Sequence, residues 1–162
     1  MSVVNHKVTI VIPVFNGSNY LQEAVDRALA QTYSNIEVIV VNDGSNDAGK
    51  TEAIAKGYGD RIRYFSKDNG GVSSALNEGI RRMQGEWFAW LSHDDLFSAD
   101  RIAGDMAVVS AQPQARITFC NADVIDRAGR LLRKIEYPME KVLCPSQAMR
   151  CGGIHMCAVT LH

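Results

Sequence analysis

A chain of 162 residues with 46% hydrophobic and 22% charged side chains carries enough apolar material for one cored domain and too much to stay disordered. Its 17 basic and 18 acidic residues nearly cancel, leaving a formal charge of -1, and no basic run is long enough to track a nucleic-acid backbone. No apolar run reaches membrane-spanning length and the polar start MSVVNHK does not resemble a signal peptide. The expectation is a cytoplasmic protein, with attachment to the cytoplasmic face of a membrane left to segments outside this chain.

KVTIVIPV is a β-branched run, read as a first strand closed by Pro13, which cannot continue an inner ladder. NGSNYLQEAVDRALAQTY follows as a loop and helix. Leu21, Val25, Ala28 and Leu29 share one helical face, and Ser18 or Asn19 can cap the exposed amides. IEVIVVND is a second strand, so uniformly apolar at its centre that it suits a parallel sheet covered on both sides. GSNDAGKTEAIAKGYG supplies a turn and helix, and RIRYFSK a third strand.

NGGVSSALNEGIRRMQG opens on glycines and then sets Val72, Ala75, Leu76, Ile80 and Met83 at helical spacing. EWFAWLS is a fourth strand with Trp87 and Trp90 on opposite faces as packing residues, and Ser98 or Asp100 begins a helix ending near Ala111. ARITFCNADVID leads through a hairpin at Asp126-Arg127-Ala128-Gly129 into RLLRKIEYP. CPSQAMRCGG reads as a short helix or loop, and IHMCAVTLH as a last strand.

Strands alternating with helices predict an α/β fold with a mostly parallel central sheet flanked by helices, the late hairpin adding mixed strands at one edge. Residues 1–162 read as a single domain without repeat or linker. The end on an apolar strand, with no helix after it, suggests a missing C-terminal portion.

Two acidic sites fall where strands run out, at the mouth where such sheets bind ligands: Asp43 after IEVIVVND and Asp94-Asp95 after EWFAWLSHDD. Asp43 can accept hydrogen bonds from a ring nitrogen or hydroxyl while Gly44 lets the chain turn closely; the plainer alternative is a turn residue or helix cap. Adjacent carboxylates at Asp94-Asp95 repel unless solvated or held near positive charge. A magnesium or manganese ion supplies that charge, with Asp95 as first choice of ligand and Asp94 orienting a sugar ring or water. The plainer alternative is a solvent-exposed turn before the next helix.

Asn69-Gly70-Gly71 places glycines and free amides at a helix start, where an anion can approach. No Walker loop, GxGxxG or GxSxG elbow is present, which argues against a nicotinamide dehydrogenase and a serine hydrolase. His93 can take part in proton transfer or pack beside the site, and packing is the favoured reading. Cys120, Cys144, Cys151 and Cys157 are spaced as free thiols rather than as a zinc knuckle with His155 or His162.

Together, TIVIPVFNGSNYLQEAVDRALAQTY, IEVIVVNDGS, DNGGVSSALNEGI and GEWFAWLSHDD closely resemble the family-2 glycosyltransferases, over approximately residues 7 to 137. The resemblance implies the GT-A nucleotide-diphospho-sugar transferase fold, C-terminally truncated. It also implies transfer of a sugar from a nucleotide-diphosphate donor, commonly UDP-linked, with inversion and with Mg2+ or Mn2+.

By that resemblance Pro13, Val14 and Phe15 border the nucleobase and ribose, and Asp43 contacts the base. Gly71 forms another wall, supported by Asn77. Asp94 lies near ribose or sugar and Asp95 at the metal. The partners implied are a nucleotide-sugar donor and an unspecified sugar, glycan or lipid-linked acceptor. Leu76 replaces a familiar arginine, and Ser92-His93 replaces the start of a common D-S-D-D form. The catalytic base is unknown; Asp123 and Asp126 do not match its motif, which is expected beyond residue 162. The alternatives are a sugar nucleotidyltransferase, whose basic glycine-rich loop PVFNGSNY does not supply, and a non-catalytic nucleotide-binding or interaction domain.

Overall fold

The computed structural model describes residues 5–137 and 159–162. Seven consecutive buried residues make Val8–Val14 the central strand, β1. It is followed by α1 (Leu21–Leu29), β2 (Ile36–Asp43), α2 (Lys50–Lys56), a 3-10 turn at Gly59–Arg61 and β3 (Arg63–Lys67). Next come α3 (Val72–Arg82), β4 (Trp87–Trp90), α4 (Arg101–Ala111) and the strands β5 (Ile117–Phe119), β6 (Ala122–Ile125), β7 (Leu131–Ile135) and β8 (Val159–Leu161).

Among the described residues the main sheet has the order β3-β2-β1-β4-β8-β5. β3, β2, β1 and β4 are parallel, as their covered, β-branched runs predict. The antiparallel member is β8, inserted between β4 and β5. The hairpin does not join an edge of this sheet: β6 and β7 form a two-stranded sheet of their own. The stretch CPSQAMRCGG, Cys144, Cys151, Cys157 and His155 lie outside the described residues. Cys120 is a half-buried free thiol whose pKa burial pushes up.

Pro13 sits inside β1 rather than closing it, opposite Val41 in register, and the strand runs on to Val14. The Leu91 N–H donates to the Val11 carbonyl, 3.0 Å away, and pairing with β4 ends at that level. Alternation turns Pro13 to the same side as Val11, where no ladder remains, so its missing N–H removes no sheet bond.

The two faces of the sheet bury different partners. Val8, Ile10, Ile12 and Val14 pack with Leu21, Ala24 and Val25 of α1, Ala55 of α2, and Ile102 and Met106 of α4. Val11, Ile39 and Val41 face the other way, onto Ala75 of α3. Each fully buried Val, Leu or Ile contributes about 1.5–3 kcal/mol relative to exposure, so this two-sided burial fixes the sheet. Trp87 and Phe88 fall in opposite clusters, as strand alternation requires.

Polar contacts lock the helices in place. Gln31 donates to the Ser98 carbonyl at 2.7 Å and accepts from the Ile102 N–H at 2.9 Å, tying the end of α1 to the start of α4. The buried Arg101–Asp105 pair is joined by Thr160 of β8, whose hydroxyl donates to Asp105 Oδ2 at 2.7 Å. Tyr20, not Ser18 or Asn19, precedes α1, without a side-chain cap; the Gly17 carbonyl accepts the N–H groups of Tyr20 and Leu21 instead. Asp100 does precede α4, again without a side-chain cap bond.

The contact line of α3 differs from the expected apolar stripe. Ala75 and Gly79 are buried, whereas Val72 is 50% and Ile80 43% exposed. Gly79 explains the rotation: a β-carbon there would lie 2.4 Å from Val11 Cγ1, so only glycine lets α3 seat this closely on β1. Gly79→Ala is therefore expected to cost about 1–3 kcal/mol by overpacking, against the usual helix-propensity gain of about 1 kcal/mol. Urea denaturation checks this, and a variant as stable as the parent would contradict the close seating.

Candidate functional site

The strand order places a reversal of connection direction at β1: β2 and β3 lie on one side of it and β4 on the other. The crevice beyond the carboxyl ends of such strands is where open α/β sheets bind ligands. A cavity of about 350 Å³ occupies that position, within the size range of small-ligand sites. Pro13, Val14 and Phe15 line it from the end of β1, and Asp43 from the end of β2. Asn69, Gly71, Val72 and Ala75 contribute the α3 side; Ser92, His93 and Asp94 contribute the β4 side.

Asp43 is only 3% exposed. Its carboxylate accepts from Lys67 Nζ at 2.7 Å, from the Gly71 N–H at 2.7 Å, and from the Gly70 N–H at 3.1 and 3.2 Å to its two oxygens. Asn69 Nδ2 donates to the Asp43 carbonyl at 3.0 Å. Burial alone would raise the Asp43 pKa. The Lys67 hydrogen bond, the Gly70 and Gly71 amides and the Lys67 charge outweigh it and hold the carboxyl below the ordinary aspartate value. The glycine amides at the start of α3 thus have an anion already, and it is the protein's own side chain.

Gly44 makes this closure possible. It has φ +72°, and a β-carbon would meet the Asn69 nitrogen at 2.6 Å. Asn42 orients the turn: its Oδ1 accepts the Ser45 N–H at 2.9 Å and its Nδ2 donates to the Tyr64 hydroxyl at 2.9 Å. The loop after β1 is laced to the loop after β2. Asn16 Nδ2 donates to Asn46 Oδ1 at 2.7 Å, and the Asn46 N–H returns to Asn16 Oδ1 at 2.8 Å. Asn16 has φ 52°, a conformation that asparagine tolerates better than most residues. This lacing presents Phe15, 44% exposed, at the crevice.

Of the residues expected to form the site, Pro13, Val14, Phe15, Asp43, Gly71 and Asp94 share the cavity wall. Asp95 is half-buried just beyond it, and its N–H donates to the Ser92 carbonyl at 3.1 Å. Asn77 is exposed on α3 outside the lining. Leu76, in place of the expected arginine, packs on the Val11 cluster. Asp126 accepts the Ala128 and Arg130 N–H groups and so belongs to the hairpin turn.

Sequence reasoning missed Lys67, whose position at the end of the strand beside Asp43 was the available signal. It also missed Val72, which leaves the helix interface and lines the crevice.

A largely parallel sheet with an acidic crevice at its reversal point, walled by strand ends and a glycine-rich helix entrance, is the architecture of a GT-A-like α/β domain. The chain belongs to glycosyl transferase family 2, whose model matches residues 9–136. It is 46% identical over 159 residues to an uncharacterized glycosyltransferase of Rickettsia conorii, covering 95% of this chain and 26% of that protein.

Among solved structures it resembles S. aureus TarS 1-349 in complex with UDP-GlcNAc, at TM-score 0.62 and 21% identity, over 68% of this chain and 33% of that one. It also resembles the mannosyltransferase PcManGT from Pyrobaculum calidifontis in complex with GDP-Man and Mn2+, at TM-score 0.60 and 23% identity, over 71% and 35%. These two likenesses carry the fold. The chain spans about a quarter to a half of the length of the Rickettsia relatives it matches.

Asp43→Asn is expected to lower stability by about 2 kcal/mol near neutrality, because it removes a charge that Lys67 and two amides solvate. A depressed folded pKa makes the carboxylate's contribution complete above the ordinary aspartate value of about 4, and lost as pH falls through the lower folded value. Urea melts across pH should show a constant gap between parent and variant above about pH 5 that closes in stronger acid. A gap that persists unchanged in acid would refute the ionised-carboxylate reading.

Proposed function

We propose that this chain is the donor-binding portion of an inverting, metal-dependent glycosyltransferase that uses a nucleotide-diphosphate sugar, preferably UDP-linked. Residues 1–162 act as one domain in this reading, with an incomplete acceptor region. The observation that carries it is Asp43: a buried carboxylate, held ionised, on the wall of the crevice. An ionised carboxylate only accepts hydrogen bonds. A base meeting it edge-on must therefore offer an N–H: uracil at N3 and guanine at N1 present a ring N–H, whereas cytosine and adenine have a repelling lone pair at the equivalent ring position and only an exocyclic amino group to donate. The complexes of the two solved relatives, with UDP-GlcNAc and with GDP-Man, contain bases of this donor kind.

With the base over β2, the nucleotide crosses Pro13, Val14 and Phe15 and brings its phosphates to the end of β4. Asp94 and Asp95 stand at that end. Among the described residues no group of three or more His, Cys, Asp or Glu side chains converges. The residues that would hold Mg2+ or Mn2+ are therefore Asp95, with Asp94 toward the ribose or sugar, completed by phosphate oxygens; this is the usual magnesium pattern. When bound, the cation supplies neutralising charge to the departing nucleotide diphosphate. Asn77 and Gly71 support the wall on the α3 side. The acceptor is a sugar, glycan or lipid-linked hydroxyl compound, and the base that deprotonates it is not assigned to any residue here. No helix among the described residues is long and apolar enough to cross a membrane.

Calorimetric titration with UDP, GDP, CDP and ADP, each with and without Mn2+, tests this reading. UDP is expected to bind best and GDP next, both dependent on metal, and Asp95→Ala is expected to weaken UDP by roughly tenfold or more. Equal binding of CDP and UDP, or no nucleotide binding by folded protein, would overturn it.

A further inference from the structure

Resting on the nucleotide reading, the charges around the crevice pose a problem that one residue answers. Among the described residues the titratable side chains on its wall are Asp43, Asp94 and His93, with no Lys or Arg. A diphosphate entering there meets carboxylates, and needs N–H donors as well as a cation. Asn69 already gives its amide to the Asp43 carbonyl. The Gly70 and Gly71 amides are taken by the Asp43 carboxylate.

His93 is differently placed. It meets Gly17 by its carbon atoms: a β-carbon added at Gly17 would lie 2.5 Å from His93 Cδ2 and 3.1 Å from Cγ. The ring is held between the loop after β1 and the end of β4, with its nitrogens farther from that contact. Neither nitrogen has a hydrogen-bond partner among the described residues, and the residue is half-buried on the cavity wall. A neutral imidazole carries one N–H and an imidazolium two, so the ring can donate in either state. Strands are spaced about 4.8 Å apart, so β4 lies roughly 10 Å across the mouth from β2. A nucleotide whose base meets Asp43 therefore extends its phosphates toward His93.

We infer that His93 is a phosphate-contacting residue of the donor site, donating an imidazole N–H to a diphosphate oxygen. It supplies a hydrogen bond where the common D-S-D-D form of the motif has no imidazole. Gly17 is what holds the ring in reach: any side chain there would push it away.

The test compares UDP, by calorimetry in excess Mn2+, with uridine, by ligand-observed NMR. Both ligands are titrated into the parent chain, His93→Ala and His93→Asn, with folding checked by circular dichroism. Loss of the ring should weaken UDP roughly tenfold, as expected for a hydrogen bond to a charged group, and leave uridine unchanged. His93→Asn keeps an N–H donor and should recover part of the loss. UDP affinity within about twofold of the parent in His93→Ala, or an equal loss for uridine and UDP, would overturn the assignment and leave His93 as packing. A parent chain that binds neither ligand would overturn the nucleotide reading itself, and His93 with it; binding by the parent separates the two failures.

Discussion

A carboxylate removed from water must be solvated by the protein or give up its charge, and Asp43, at 3% exposed, is solvated by three donors, Lys67 at the end of β3 and Gly70 and Gly71 in the turn into α3. That requirement governs the crevice. Lys67 reaches it because β3 pairs with β2 in a register that sets Lys67 beside Asp43. Gly70 and Gly71 reach it because Gly44 leaves room for Asn69 to approach. The same bonds that keep Asp43 charged therefore fix the entrance of α3, and the crevice wall is preorganised by the group proposed to read the base.

The rest of the scaffold delivers that wall to the right place. Gly79 lets α3 press onto Val11, which draws the helix start over the end of the sheet and turns Val72 outward to the crevice. On the other side of β1, Gly17 has the corresponding function, bringing the loop after β1 against His93 at the end of β4. The Asn16–Asn46 pair stitches this loop to the next. Rigid strands thus carry the polar groups and glycines set the spacing between them, the division of labour expected where a ligand must pass close to backbone.

The strands and helices were legible because their apolar runs are long and their faces consistent. Asp43 and Asp94-Asp95 were legible because acidic residues directly after buried strands stand out. What the sequence could not convey is long-range. Pro13 reads as a strand end until the pairing shows that β4 has already stopped at its level. β8 reads as a terminal strand, but antiparallel pairing inserts it between β4 and β5, where Thr160 meets the Arg101–Asp105 pair across the fold. The apolar stripe of α3 predicts a buried Val72 because periodicity weighs every apolar residue alike, and it cannot see that Gly79 moves the contact line. The amides of Gly70 and Gly71 looked open to a ligand because the carboxylate that fills them is distant in sequence.

The most direct test of Asp43 as the joint between scaffold and ligand is a titration of the isotope-labelled chain with UDP and Mn2+, followed by backbone amide shifts. The Gly70 and Gly71 amides bond to the carboxylate that the base would contact, so they should move together with residues 14–15 and 92–94 on one saturable curve. Saturable binding that leaves Gly70 and Gly71 unmoved, or that shifts the β6–β7 hairpin instead, would place the ligand elsewhere and contradict the role given to Asp43.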